Sequence, residues 1–281
     1  MSASERKRGA PVGRWVITAA LLVCGIIAAI PVYWTVIASL QPEVDGFGRP
    51  PQWIPRTITF EHFADALDLI PFFQQFANSV LVTGTVVVLS LLVALLAAYA
   101  LARLDFAGRP VVFAVFLTAL MIPGQVTVIP IYIMLRNAGL TDNLLGLILP
   151  ATVQVVAIFL LRQHLLSMPA ELSDAASIDG AGSVRILFQI LLPGVTPALS
   201  ALAIFIAQSM WNDFFWPNLI MSTPERLTLP VGIYQLGAGA VGAPPPVIFA
   251  AITLIVLPLL VLFLFAQRRL TEGIAFVGTD R

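Results

Sequence analysis

Six stretches of this chain are dominated by apolar side chains: about 15–40, 78–102, 110–135, 143–162, 195–221 and 247–268. A helix needs ~20 such residues to cross the ~30 Å hydrocarbon core of a bilayer. Lipid offers no water to the backbone, so each N–H and C=O must pair within its own segment. The pattern predicts an all-α membrane protein with six transmembrane helices. Between the fourth and fifth runs the pattern changes. The stretch ELSDAASIDGAGSVRILFQILLP, Glu171 to Pro193, holds three carboxylates, one arginine and two glycines.

This polar stretch reads as two short helical pieces around a turn. In the first, Leu172, Ala175 and Ala176 fall on one face and Glu171, Asp174 and Ile178 on another. Pro169 suits the first turn, and Glu171 complements the dipole there. Gly180 and Gly182 allow a sharp reversal. In the second piece Val184, Leu187, Phe188 and Leu191 recur at i, i+3, i+4 and i+7, with Arg185 and Gln189 on the polar side; Pro193 is expected to stop it. Neither piece is long enough to stand alone in water. Small alanines and flanking carboxylates suit a protein partner that offers arginines. The alternative is a hairpin lying on lipid headgroups, but interfacial helices turn basic residues to anionic lipid, and this one is acidic.

Composition agrees with the spans. The chain is 59% hydrophobic and 11% charged, with a mean hydropathy of +0.94; soluble domains are about a quarter charged. The net charge of zero offers no basic surface for nucleic acid. Charge position says more. With the N-terminus inside, eleven cationic residues (Arg6, Lys7, Arg8, Arg14, Arg103, Arg109, Arg162, Arg185, Arg268, Arg269, Arg281) lie inside and four (Arg49, Arg56, Arg136, Arg226) outside. Both termini are therefore expected in the cytoplasm. The expected organisation is a cytoplasmic segment 1–14, a transmembrane domain 15–268 with an external loop 41–77 and a cytoplasmic loop 166–193, and a cytoplasmic tail 269–281. The first run is too long for a signal-peptide core and is read as an uncleaved span. Trp15 and Trp34 bracket that span, and Trp211, Phe214, Phe215 and Trp216 mark the outer end of the fifth. The external loop starts proline-rich and turns amphipathic from Phe60 to Phe76, which predicts a short surface helix.

Catalytic signatures are missing. A Walker A loop needs a lysine after glycines, and the single lysine, Lys7, has no glycine before it. His62 and His164 are assigned to opposite sides of the membrane, and neither H-E-x-x-H nor G-x-S-x-G occurs. An enzyme reading has almost no support, and the two histidines make no metal pair. The single cysteine, Cys24, reads as a small apolar side chain. Ala94, Ala97, Ala98 and Ala102 read as close helix packing. Three polar residues within spans are candidates for a translocation path: Gln125, between Pro123 and Pro130, and Asn212 with Asp213 in MWNDFFWP. A helix–helix hydrogen bond for Gln125 and a snorkelling acid for Asp213 are the alternatives.

The segment DAASIDGAGSVRILFQILLP resembles the cytoplasmic signature of ABC-importer permease subunits, the EAA loop: Glu-Ala-Ala, a Gly, nine residues, then Ile-x-Leu-Pro. Asp174-Ala175-Ala176, Gly180 and Ile190-Leu191-Leu192-Pro193 hold these places. Asp174 stands where glutamate is usual, one methylene shorter, with Glu171 nearby to share its role. NSVLVTGTVVV, AYALARLDFAGRP, MIPGQVTVIPIYIMLRNAGL, LLGLILP, MWNDFFWP and LTLPVGI resemble the carbohydrate-importer branch, in order over most of 70–270, and in particular the type of the shorter maltose-permease membrane subunit. The resemblance implies a permease subunit of an ATP-driven sugar or oligosaccharide importer in the bacterial plasma (inner) membrane, with no cofactor of its own. Its implied partners are a second homologous permease, two ABC ATPase subunits and an extracytoplasmic sugar-binding protein. By the same resemblance Asp174, Ala175, Ala176, Asp179, Gly180 and Ala181 contact the ATPase, and Arg185 and Phe188 support them. The tail RRLTEGIAFVGTDR resembles a C-terminal extension of the family that can reach toward the ATPase dimer. An ion-coupled secondary transporter is the alternative, but it would normally carry an intramembrane relay of carboxylates or histidines and inverted repeats.

Overall fold

The structure is a computed structural model that describes residues 11–42, 53–238 and 241–277. The start of the expected N-terminal segment, the proline-rich part of the external loop at 43–52 and the last tail residues lie outside the described residues. The described chain is helical from end to end: α1 (Pro11–Ser39), α2 (Glu61–Asp68), α3 (Phe72–Arg103), α4 (Arg109–Met121), α5 (Gly124–Asn137), α6 (Leu144–Ala151), α7 (Val155–Ser167), α8 (Glu171–Ile178), α9 (Ser183–Arg185), a π-helical turn (Ile186–Leu191), α10 (Leu192–Trp211), α11 (Phe215–Ile220), a 3-10 turn (Pro224–Arg226), α12 (Leu229–Ala238) and α13 (Pro245–Val277).

Among the described residues four helical stretches are long and apolar enough to cross a membrane: Trp15–Ser39, Phe72–Arg103, Leu144–Ser167 and Ser183–Ile220. The third expected span is not one kinked helix. It is two, α4 and α5, bent by 103°. Ile122 is extended (φ −83°, ψ 116°) as a residue before proline tends to be, and Pro123 lacks the N–H that would continue α4. Over the sixth expected span, 247–268, the described residues hold an apolar stretch, Pro245–Val261, that is shorter than the four above. The surface helix expected over 60–76 is the shorter α2, and α3 reaches back to Phe72, into the expected loop.

The chain divides into two compact units, Met1–Leu69 with Leu236–Leu254 and Ile70–Gln235 with Ile255–Arg281. In the first, the segment after α1 folds back on its end. Tyr33 Oη donates to the carbonyl of Trp53 (2.7 Å), the Thr59 amide donates to Leu40 O (2.9 Å), and Trp34 meets Trp53 edge-on at 5.3 Å. His62 Nε2 bonds to Gln41 O at 3.0 Å, so its role here is structural.

The second unit is organised around α3. Ala94, Ala98 and Ala102 recur every fourth residue, and all three are buried. A small-residue stripe lets a neighbouring helix come close, and Ala157, Ile158, Leu161 and Leu165 of α7 fall in the same core. Ile186, Leu187, Leu191, Val195 and Leu202 complete this cluster from the π turn and α10. A second cluster unites Val82 and Val86 of α3 with Leu135, Leu147, Ile148, Ile206, Ile220, Met221, Leu227 and Val231. Ala98→Leu, which forces a larger side chain into a fully buried site, is expected to cost about 1–3 kcal/mol. It should lower the thermal midpoint of the purified protein, whereas Ala97→Leu, at a half-buried position, should lower it less.

Candidate functional site

The polar hairpin is built by a helix-ending motif. Gly180 takes the left-handed conformation (φ +80°), the Ala181 amide donates to Ala176 O (2.9 Å) and the Gly180 amide to Ser177 O (3.1 Å). This is a Schellman stop, in which a residue in the left-handed region closes the last two carbonyl bonds of a helix. A Cβ on Gly180 would meet nothing within 4 Å, so glycine is needed for its backbone and not for space. Gly182 is not part of the reversal, since its φ is −73°. Pro169 lies ahead of the first turn, because Ala170 holds the N-cap position and α8 starts at Glu171.

The second piece also departs from expectation. Pro193 does not end it: the chain is helical from Ser183 into α10, and Pro193 sits in the first turn of α10, where a missing N–H is tolerated. The continuity comes from the π turn, Ile186–Leu191. A π turn closes i to i+5 and brings those positions onto one face. Ile186 and Leu191 are therefore buried together with Leu187, while Val184 and Phe188, expected on the apolar face, are 72% and 39% exposed.

All nine hairpin residues singled out in the sequence lie within this one structure. Glu171, Asp174, Ala175, Asp179, Gly180, Arg185 and Phe188 are exposed and Ala181 is half-buried. Ala176 points inward, 8% exposed, and packs with Ile186, Leu187 and Leu191; it supports the hairpin from within. Arg185 Nε donates to Gln189 Oε1 (3.0 Å) along its own helix. Among the described residues the salt bridges are Arg109–Asp105 and Arg226–Asp142, so the three hairpin carboxylates carry no ion pair there. The sequence placed Ile178 on the face of Glu171 and Asp174 but did not count it among the docking residues. It is 86% exposed, on the same side of α8 as the carboxylates. The signal was present, an isoleucine on a charged face far from any apolar run.

The hairpin hangs from a collar of polar contacts at the ends of three helices. Arg103 Nη2 donates to Leu165 O and to Met168 O, both at 2.7 Å. Arg162 Nε donates to Leu101 O (3.2 Å), and its guanidinium carbon lies 3.9 Å from the centre of the Phe113 ring. His164 Nε2 bonds to Gly194 O at 3.1 Å. In the sequence the two arginines counted only as charges that orient the spans, and His164 only as one half of a metal pair that does not form.

At the opposite end of the α6–α7 span a second polar cluster pins the loop after α11. Asp142, at φ +53°, accepts from the amides of Ser222 and Thr223 (3.0 Å each), from Thr223 Oγ1 (2.6 Å) and from Arg226 Nη1 (3.2 Å). Arg226 also donates to Asp142 O at 2.7 Å. From α3, Asn78 Nδ2 donates to Glu225 O (2.8 Å) and Leu227 O (3.0 Å), Gln75 Nε2 donates to Pro224 O (3.0 Å), and Ser79 Oγ accepts from the Leu229 amide (2.8 Å). The Thr223 hydroxyl, then the two amides and Arg226, hold the Asp142 carboxyl down at about 2, against an ordinary value of 3.8.

The three path candidates sit at breaks in the spans. Gln125 is exposed in the first turn of α5, just past the 103° bend. Asn212 is exposed at the end of α10 and donates to Gln208 O (2.8 Å); half-buried Asp213 accepts from the Trp216 amide (3.4 Å) ahead of α11.

Known proteins align with this architecture. Residues 90–275 match the family described as binding-protein-dependent transport system inner membrane component. The chain is 32% identical over 276 residues to the arabinooligosaccharides transport system permease protein AraQ of Halalkalibacterium halodurans, covering 97% of this chain and 99% of that protein. It is 32% identical over 260 residues to the diacetylchitobiose uptake system permease protein DasC of Streptomyces coelicolor, covering 92% and 93%. A chain of a crystallised bacterial ABC transporter involved in the import of the acidic polysaccharide alginate shares the fold, with a TM-score of 0.78 at 24% identity over 92% of this chain and 98% of that one.

Because the folded Asp142 pKa lies below its unfolded value, the clasp contributes its full stabilisation above about pH 4 and loses it as pH falls toward 2. Spin labels at positions 138 and 224 should hold one narrow distance at pH 7 and broaden below about pH 3. Asp142→Asn should broaden that distance at pH 7 already. An unchanged distribution in the variant would count against the clasp.

Proposed function

Because the chain belongs to the family of binding-protein-dependent transport system inner membrane components, we propose that it is the membrane-spanning permease subunit of an ATP-driven bacterial importer for a sugar or oligosaccharide. The observation that carries this reading is the α8 hairpin, which presents three unpaired carboxylates around one exposed isoleucine. In water such an isoleucine is held out at a cost, about 1.5–3 kcal/mol short of what its full burial would return. A partner surface with an apolar slot ringed by arginine or lysine recovers that burial and charge-assisted hydrogen bonds together. The partner is an ABC ATPase subunit, and Glu171, Asp174, Ala175, Ile178, Asp179, Gly180 and Ala181 form the face it grips. Arg185 and Phe188 flank that face from the second piece.

The cationic residues support a cytoplasmic hairpin and cytoplasmic termini, since Arg103, Arg162 and Arg185 cluster at its end of the spans. The Asp142 end then faces outward, toward the extracytoplasmic sugar-binding protein. A second homologous permease completes the path. Among the described residues α4 buries no side chain and α5 buries only Leu135, which leaves apolar surface for that chain to cover. Gln125, Asn212 and Asp213 support a path through the helix breaks, because non-helical backbone at membrane depth is tolerated where it is packed in protein or lines a cavity. The carbohydrates named for AraQ, DasC and the alginate transporter support a sugar as cargo.

In membranes that contain the full transporter, Asp174→Arg and Ile178→Asp should insert normally, lose the ATPase subunit on purification and cut ATP-dependent uptake at least about tenfold. Ile178→Ala should have the smaller effect of the two Ile178 changes. Unchanged co-purification and uptake in both severe variants would sink the docking assignment.

A further inference from the structure

We infer that Arg103 and Arg162 form a reciprocal brace that keeps the last turns of α3 and α7 from fraying under load, and so passes a displacement of the α8 hairpin to the spans as a rigid movement. This rests on the docking role proposed above for the hairpin.

The last four carbonyls of a helix have no partner in that helix. At the end of α7, Leu165 and the C-cap residue Met168 find their donor in Arg103 of α3; at the end of α3, Leu101 finds its donor in Arg162 of α7. Each helix thus ends on the other helix's guanidinium. Cationic donors at helix C-termini also meet the favourable end of the dipole. The brace reaches α4 as well, since the Arg162 guanidinium lies on Phe113, which stacks on Phe159 of α7 at 6.4 Å. It reaches α10 through His164 and Gly194, where a Cβ on the glycine would run into the Met168 side chain.

Two features point past simple packing. Arg103 Nε is buried and has no acceptor, an arrangement that a methionine of similar size would avoid. The guanidinium is there for its two carbonyls. The second feature is position. Only Pro169 and Ala170 separate the braced Met168 carbonyl from the first residue of α8. A pull on the hairpin enters α7 at that point, as it enters α10 through the continuous helix from Ser183. An unbraced last turn of α7 would unwind locally and absorb the movement.

The test uses the full transporter, with its ATPase subunits and second permease, reconstituted in vesicles with its binding protein. The readout is ATP hydrolysed per substrate molecule taken up. Arg103→Gln and Arg162→Gln should keep the ATPase subunit bound and hydrolysis within about twofold of the parent, while uptake falls about tenfold, so the ratio rises about tenfold. Combining them should add little, because either change opens the same brace. Arg103→Lys should lie between the parent and Arg103→Gln. Arg162→Lys keeps a cation for Phe113 but removes the Nε–H, and it should raise the ratio even if the glutamine variants accumulate poorly. Hydrogen exchange over residues 163–168 should quicken in each variant. An unchanged ratio, or uptake and hydrolysis falling in proportion, overturns the brace. A parent protein that never retains an ATPase subunit overturns the docking role itself, and the brace with it.

Discussion

Backbone groups at helix ends, where no neighbouring turn supplies a partner, govern how this chain is put together. Within a span the helix satisfies itself. At an end or a break it does not, and in or near a bilayer water is not freely available to help. The polar side chains that matter here are found at such points. Arg103 and Arg162 close the ends of α7 and α3, Asp142 takes the amides of Ser222 and Thr223, and Asn78 takes the carbonyls of Glu225 and Leu227. The Schellman stop at Gly180 solves the same problem with backbone alone. Each solution also fixes where the next element starts.

The α6–α7 span therefore has a polar lock at each end. At one end the Asp142 cluster unites the turn before α6 with the loop after α11, and α3 grips that loop through Gln75, Asn78 and Ser79. At the other, the arginines tie α3 to α7 just before the hairpin emerges. Between them the contacts are apolar and close, through the alanine stripe of α3. Apolar contacts are non-directional, whereas each lock ties specific residues of two elements. This division would suit the docking role proposed for the hairpin, in which movement enters at one end of the spans.

Much of this was legible before any coordinates. The all-α class, four of the expected spans and the polar hairpin follow from runs of apolar residues and their interruption, because the bilayer imposes a length and a secondary structure on them. The carboxylates of the hairpin were legible as a polar cluster interrupting so apolar a chain. Ile178 stood on their face in the helical pattern, yet its significance needed its exposure. The 103° break at Ile122–Pro123 was foreshadowed by two prolines, but proline spacing alone does not distinguish a kink from a fold-back.

What the sequence determined by itself is what depends on local chemistry and on the solvent: helices of bilayer length, a glycine-ended hairpin and the asymmetry of its arginines. Tertiary structure alone decided the rest, because it depends on residues far apart in the chain. The π turn puts Ile186 and Leu191 inward together, while Val184, ahead of it, is exposed. Asp142 meets the Thr223 amide, and Arg103 the Met168 carbonyl, across helices that separate them in the chain. A hydrogen bond between such distant groups leaves no periodic trace in the sequence, since its partners are one arginine or aspartate and a backbone atom that any residue carries.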